Sequence, residues 1–185
     1  MALTRINNQA LTNVTSAGIP KATGEVLQVV RYSQKNTSSL SGNTTYNWRD
    51  VFAPSTGVTS KKANSTWVVT AQHWMASRSA PVSTDIWYKI GSSGTWTSLG
   101  SHGTSSGNET GSYGMGTIWD TSSSDIWMGA AHHGSKSITH SEGDVLYFKT
   151  VIRRGGPGSD SESTGNNDAN HAYTDSYLTV MEIAG

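Results

Sequence analysis

One short stretch of the sequence matches a nucleophile motif. GTSSG at residues 103–107 satisfies G-x-S-x-G, with Ser105 at its centre. In hydrolases this motif works on a strained turn from a strand into a helix, which exposes the serine above an α/β sheet. Here it lies in a Ser/Gly-rich loop without a helix signal on either side. We interpret it as a loop, and we expect no catalytic residue and no enzymatic activity.

The histidines are the next candidates for chemistry, as metal ligands: His73, His102, His132, His133, His140 and His171. Adjacent strand residues point to opposite faces, so His132 and His133 cannot easily hold one ion. His140, in the following turn, can approach either of them. Zinc needs three or four ligands supported by further hydrogen bonds, and no spacing in this sequence supplies them. We expect structural or surface histidines, with no metal site and no cofactor.

A long polar loop at residues 155–172 carries several oxygen ligands, including Asp160, Asn166 and Asp168. Their spacing does not match the calcium loop of an EF-hand. Loops of this length in a compact domain are usually functional or mobile. The residues leave open whether the loop binds calcium or sugar, and we take these three as candidate contacts for a receptor or glycan.

Tryptophan suggests a second kind of contact surface, because exposed indole rings stack well on sugar rings. The seven tryptophans include Trp87 and Trp127, each directly after an isoleucine in the repeated tripeptide DIW. Neighbouring strand positions face opposite ways, so these two rings lie opposite their buried isoleucines. Both are candidate glycan contacts. The alternative is that these faces meet a second sheet or a neighbouring subunit.

The composition restricts the fold and the partners. In 185 residues, a length that suits one domain, there are 20 glycines, much Ser and Thr, and only 14% charged residues, a mixture that disfavours long helices. The formal net charge is zero, so nothing favours nucleic acid as a partner. No apolar run is long enough to span a membrane, and the absence of cysteine rules out disulfides.

Nine strand-like segments follow one another between turn signals, at residues 24–33, 44–52, 65–75, 84–91, 95–100, 113–119, 125–133, 144–154 and 176–183. Short strands at such spacing predict an antiparallel sandwich or barrel. We assign residues 25–185 to this all-β domain. Residues 1–24 show neither the helical nor the strand periodicity of apolar residues, and they are predicted to form an extended N-terminal arm. Its sparse apolar residues would dock it on a partner: Leu3, Ile6, Leu11 and Val14.

The last strand is apolar on both faces. Leu178 and Val180 share one face, and Tyr177, Met181 and Ile183 share the other. A strand of this kind is normally covered on both sides. We expect the opposite sheet to cover the first face and neighbouring subunits to cover the second, together with Val30, which also lacks an obvious cover within one subunit.

Both ends of the chain carry a resemblance. TRINNQALTNVTSAGIP at 4–20, running into VLQVV at 26–30, and SYLTVMEIAG at 176–185 resemble the beginning and end of virion structural proteins from tailed phages of marine bacteria, often labelled tail-fibre-like. The resemblance implies a homotrimer of jelly-roll knobs of the tumour-necrosis-factor or complement-globular-head kind, whose final strand lies centrally in the inner sheet near the three-fold axis. The middle, as in TWVVTAQHW, departs from it.

These observations together predict a non-enzymatic protein of the virion, assembled in the host cytoplasm. An N-terminal arm would bind other virion proteins of the tail or capsid, and a trimeric jelly-roll sandwich would project outward and contact the host surface, including its glycans. The alternative within this class is a capsid decoration or head-fibre protein. The alternative from another class is a free carbohydrate-binding module.

Overall fold

The structure is a computed structural model of the chain and describes residues 23–35, 48–77, 82–100, 116–118, 126–154 and 175–185. Every regular element in these ranges is a β-strand. Over the same ranges, no helix has the length and apolar character needed to cross a membrane. The all-β class predicted from the composition is confirmed.

The described residues form ten strands, in chain order β1 (Val26–Lys35), β2 (Arg49–Phe52), β3 (Val58–Thr59), β4 (Thr66–Ser77), β5 (Val82–Ile90), β6 (Thr97–Ser98), β7 (Gly116–Ile118), β8 (Ile126–Ser137), β9 (Val145–Arg154) and β10 (Asp175–Ile183). Each of the nine predicted segments corresponds to one of them. The unpredicted strand is β3, because two residues are too few to show an alternation.

The strands form two antiparallel sheets. One has the order β1-β10-β4-β8, and the other has the order β2-β9-β5-β6, with β3 also pairing β9 and β7 pairing β5. The chain crosses repeatedly from one sheet to the other, so that sequence neighbours rarely lie side by side. This alternation between two facing sheets is consistent with a jelly roll, the fold that the resemblance of the chain ends implied.

The core lies between the sheets and follows the period of two along each strand. On β4, Trp67, Val69 and Ala71 are buried, and Trp67 packs its ring 5.4 Å from that of Phe148 on β9. Burying a side chain of this size stabilises the fold by roughly 1.5–3 kcal/mol. The remaining members of the core cluster come from both sheets: Phe52, Val58, Ile86, Leu99, Ile138, Leu146, Leu178 and Val180.

The last strand is central in its sheet, between β1 and β4. Its end is fixed to the chain before β1, because Gly24 N donates to Ala184 O and Ala184 N donates to Glu25 O, both at 2.8 Å. A terminus held in this way is part of the core rather than a loose tail.

Val30 does not lie on the outer face of the four-stranded sheet, so that expectation is wrong. It sits directly opposite Val180 on β10 and packs against the core. Residues directly opposite in an antiparallel pair share a face, and the sequence alone did not give this register. Its neighbour Val29 faces outward instead and is 54% exposed.

A buried carboxylate ties the last strand to the loop before β4. Glu182 is 0% exposed. It accepts hydrogen bonds from Lys61 N at 2.9 Å and Lys62 N at 3.1 Å. Ser65 Oγ donates at 2.7 Å and Gln28 Nε2 at 2.5 Å. Four donors around one carboxylate satisfy it inside the protein, as a buried charge requires.

His140 has a structural role beside this carboxylate. Its Nε2 accepts from Trp67 Nε1 at 3.0 Å and Ser65 N at 3.3 Å. Its Nδ1 lies 3.0 Å from Ser141 O and donates to it, because Nε2 is the acceptor. The expectation that His140 approaches His132 is wrong, since His132 lies further along the sandwich, opposite Ala71 of β4.

Candidate functional site

The clearest concentration of functional side chains lies on the outer face of the six-stranded sheet. Trp87 on β5 points outward and is half-buried, while its neighbour Ile86 is fully buried, as the alternation predicted. Across the strand pair, Trp87 lies opposite Lys149 of β9, and Lys89 lies opposite Tyr147. Aromatic and cationic side chains therefore alternate in a two-by-two pattern on this face.

The ammonium groups lie against the rings around them. Lys149 Nζ is 5.2 Å from the centroid of Trp87 and 4.4 Å from that of Trp96. Lys89 Nζ is 5.0 Å from Trp96 and 5.2 Å from Tyr147. Distances below about 6 Å give an attractive cation–π interaction. We call the set Trp48, Trp87, Trp96, Tyr147, Lys89 and Lys149 the aromatic–lysine face.

Trp96 reaches both lysines because the loop after β5 folds back over the sheet. Gly91 begins this loop with a φ of 72°, a conformation that favours glycine. A Cβ on Gly94 would lie 2.1 Å from Ile90 O, so only glycine fits there. The GSSG turn that the sequence shows after β5 thus places the indole of Trp96 over the sheet.

The charges on this face are compensated. Lys149 Nζ donates to Asp50 Oδ1 at 2.5 Å, and the Asp50 side chain is 52% exposed. Lys89 Nζ donates to Ser92 O. Asp85 accepts a hydrogen bond from the indole of Trp87 at 2.7 Å, which fixes that ring. The face therefore presents ordered rings and polar edges without an excess of either charge.

The outer face of the four-stranded sheet is the second candidate surface. Val29, Met181 and Val68 form one row across β1, β10 and β4. Val26 lies opposite Ile183 in the neighbouring register position. Val26 and Val29 are about half exposed, and the others are half-buried. This apolar row lies on the side of the sheet away from the core.

The predicted interface residues lie on this same outer face. Tyr177, Met181 and Ile183 are half-buried, whereas Leu178 and Val180 are buried in the core. The Arg31 guanidinium carbon lies 4.2 Å from the ring centroid of Tyr177. The two faces of the last strand are thus arranged as the sequence predicted, and the assembly role of the outer one stays a prediction.

A pair of buried histidines lies inside the sandwich. His73 on β4 and His132 on β8 pack with centroids 5.0 Å apart, and their ring nitrogens have no hydrogen-bond partner in the described part of the chain. Burial lowers the pKa of His73 to about 3 and that of His132 to about 4. The neighbouring His132 further lowers the first, and His133 further lowers the second. The described residues contain no group of three or more side chains suited to a metal.

A shallow cleft of about 360 Å³ opens beside β1 and is lined by residues 32–34 and 52–56. Tyr32 lines it, and burial raises the pKa of this phenol although a hydrogen bond with Thr56 lowers it. The lining of the cleft combines hydroxyl and amide side chains with the apolar Phe52, Ala53 and Pro54, and we assign it no specific chemistry.

Several predicted residues lie outside the described ranges: Leu3, Ile6, Leu11 and Val14 of the arm, Ser105 and His102, and Asp160, Asn166, Asp168 and His171. Trp127 lies in β8 opposite Ala76, but its side chain is outside the described part. The alternation in the sequence predicted Trp87 as a contact residue but did not identify its partners Trp96, Tyr147 and Lys149. The alternation in WYK (87–89) and YFK (147–149) predicts which side chains share a face of each strand. Only the register between β5 and β9 shows that these side chains are neighbours.

Comparisons with known proteins add little to what the geometry shows. No protein-family model matches the chain, and no curated protein matches it significantly. Among solved structures, a chain from "Structure of infectious bursal disease virus Gx strain" matches at a TM-score of 0.28 and 7% identity. The match covers 86% of this chain and 43% of that viral chain, so this chain spans less than half its length. Function must be argued from this protein's own residues, because likeness at that level does not transfer a role.

Proposed function

We propose that the chain is a structural protein of a phage virion, whose jelly-roll sandwich assembles as a homotrimer through the outer face of the four-stranded sheet. The observation that carries the proposal is the apolar row formed by Val29, Met181 and Val68. The resemblance of both chain ends to phage virion proteins supports the same role.

The apolar row is partly exposed to solvent. Val26 and Val29 are 50% and 54% exposed, and Met181 and Ile183 lie beside them. Contiguous apolar side chains on the outside of a sheet mark an interaction surface more often than isolated ones do. A permanent interface buries about 2,000–5,000 Å² in total, summed over the subunits that meet.

The position of β10 supports assembly through this face. Because β10 lies between β1 and β4, its outward side chains stand at the middle of the sheet rather than at an edge. Thr179 and Thr70 continue the face beyond the apolar row. A centre of apolar residues with a polar surround is the usual anatomy of a protein interface.

Light scattering on the purified protein tests the assembly. We expect a mass of three chains of 19.7 kDa each. Met181→Asp should give monomers, because a buried unpaired charge costs several kcal/mol. Thr139→Asp, which adds the same charge at an exposed loop position, is the matched control and should stay trimeric. A monomeric wild-type protein at micromolar concentration would overturn the trimer.

A labelled antibody against the protein tests its place on intact particles. In the proposal the sandwich projects from the tail and serves in host attachment, with capsid decoration as the alternative position. Label on the tail supports attachment, and label on the capsid supports decoration. Intact particles without any label would contradict the virion role itself.

We propose a non-enzymatic role. His140 and Glu182 are both engaged in hydrogen bonds that hold loops to the core. His73 and His132 are enclosed between the sheets. Replacing Ser105 with Ala should leave every measured property unchanged. Turnover of an ester or glycan by the wild type, lost in that variant, would contradict this assignment.

A further inference from the structure

We propose that the aromatic–lysine face binds neutral saccharides, with Trp96 and Trp87 as stacking rings. Saccharide binding goes beyond the proposed virion role. The aromatic–lysine face lies on the six-stranded sheet, whereas assembly is assigned to the four-stranded sheet, so binding does not depend on the oligomeric state.

The aromatic rings of this face are held in place before any ligand arrives. Trp87 is fixed by its indole hydrogen bond to Asp85 and by Trp48, whose ring centroid is 5.9 Å away at an angle of 58°. Trp96 is fixed between the ammonium groups of Lys89 and Lys149. Side chains ordered in advance lose little conformational entropy when a ligand binds.

The lysines of this face are packed among the rings and are not loose surface side chains. The side chain of Lys149 is only 9% exposed although it lies on the outside of a sheet. Surrounding aromatic rings cover it, and Asp50 compensates its charge. Trp48, Trp87, Trp96 and Tyr147 remain half-buried, so part of each residue faces solvent.

The charges on this face favour a neutral ligand over an anionic one. Both ammonium groups already have acceptors, Asp50 for Lys149 and Ser92 O for Lys89. An anionic ligand would meet the exposed carboxylate of Asp50 beside Lys149, which cancels much of the attraction of that ammonium group. A neutral sugar meets no such repulsion, because its C–H faces stack on indole rings and its hydroxyl groups bond to polar side chains at the margin, such as Asp50. Binding sites commonly combine aromatic rings with a few placed polar groups in this way.

Native gel electrophoresis tests the proposal, in gels that contain dextran, mannan or galactomannan and are run at alkaline pH, well above the sequence pI of about 7.0, so that the chain migrates as an anion. We expect at least one of these neutral polysaccharides to retard the wild-type protein. Trp96→Ala should weaken the retardation at least about tenfold in apparent affinity, since one anchoring aromatic side chain often carries this much binding energy. Trp96→Phe keeps a stacking ring and should stay within about threefold of wild type.

Trp96 is the residue of choice because it lies in a loop outside the strands, so its replacement disturbs the sheet least. Near-ultraviolet circular dichroism should show that Trp96→Ala is folded, and light scattering should show an unchanged mass. Thr139→Ala, at an exposed loop position far in sequence from this face, is the control for a general effect of substitution.

Three results would overturn the proposal. In the first, no neutral polysaccharide retards the folded wild-type protein. In the second, Trp96→Ala is retarded as strongly as wild type. In the third, Trp96→Ala changes the mass in solution, which would make this face an interface between copies of the chain. None of these results bears on Met181→Asp, so failure here is distinguishable from failure of the trimer.

Discussion

The imidazole rings of His73 and His132 meet edge to face between the two sheets, with their centroids 5.0 Å apart at an angle of 84°. Both residues are buried, and no ring nitrogen of either has a hydrogen-bond partner in the described ranges. Transfer of such a group from water without compensation costs roughly 1–3 kcal/mol, and charging it costs more. Protonation of either imidazole should therefore destabilise the core.

Acid should destabilise the fold through these two histidines. Their folded pKa values, about 3 for His73 and about 4 for His132, lie below the ordinary 6.5. Between these values the unfolded chain binds more protons, so stability rises with pH and falls as pH drops from 6.5 towards 3. The loss at pH 4 should be on the order of 6 kcal/mol, about 3 kcal/mol from each histidine at about 1.4 kcal/mol per pKa unit. Urea unfolding at pH 7, 5.5 and 4 measures it. Equal midpoints at pH 7 and 4 would exclude the effect.

His132→Leu should reduce this acid sensitivity. The variant removes one uncompensated imidazole and keeps a side chain of similar volume, so stability at pH 7 should be unchanged or higher. The fall between pH 6.5 and 4 should shrink by about half. His133→Gln, on the exposed opposite face of β8, is the control and should retain most of the fall. A fall of equal size in wild type and His132→Leu would assign the effect to other groups.

Glu182→Gln should destabilise the fold by about 2–4 kcal/mol. The carboxylate accepts hydrogen bonds from Lys61 N, Lys62 N and Ser65 Oγ, and the NH₂ group of a glutamine would place a donor against some of these donors. Chemical unfolding of the purified variant measures the loss. Glu142→Gln, at an exposed turn position, should change stability by no more than about 0.5 kcal/mol. Similar unfolding midpoints for both variants would show that the buried carboxylate does not hold the loop.

Deleting residues 2–22 should remove the protein from particles while leaving the sandwich folded. The first described contact of this end is Gly24 N with Ala184 O, which the deletion spares. Melting temperature and mass in solution should stay nearly the same, and incorporation into purified particles should be lost. Normal incorporation of the truncated protein would place the anchor in the sandwich.

Strand positions were predictable because alternation and turn residues are local properties. The alternation of Ile86 and Trp87 assigned their faces correctly, and so did that of Leu178 and Met181. The outer position of Val30 was predicted wrongly because the face of a residue also depends on its partner strand. Opposite Val180, Val30 belongs to the core.

The sequence by itself determined the all-β class, the strand-by-strand division of apolar and polar faces, and the apolar character of the last strand on both sides. These follow from side-chain period and turn chemistry, which act over a few residues. Only the tertiary structure decided which faces meet. It placed Trp96 over Lys149, which is 53 positions later in the sequence, His73 against His132, and Lys61 on Glu182. Such pairings depend on register and on long-range crossovers between sheets, which no local pattern encodes.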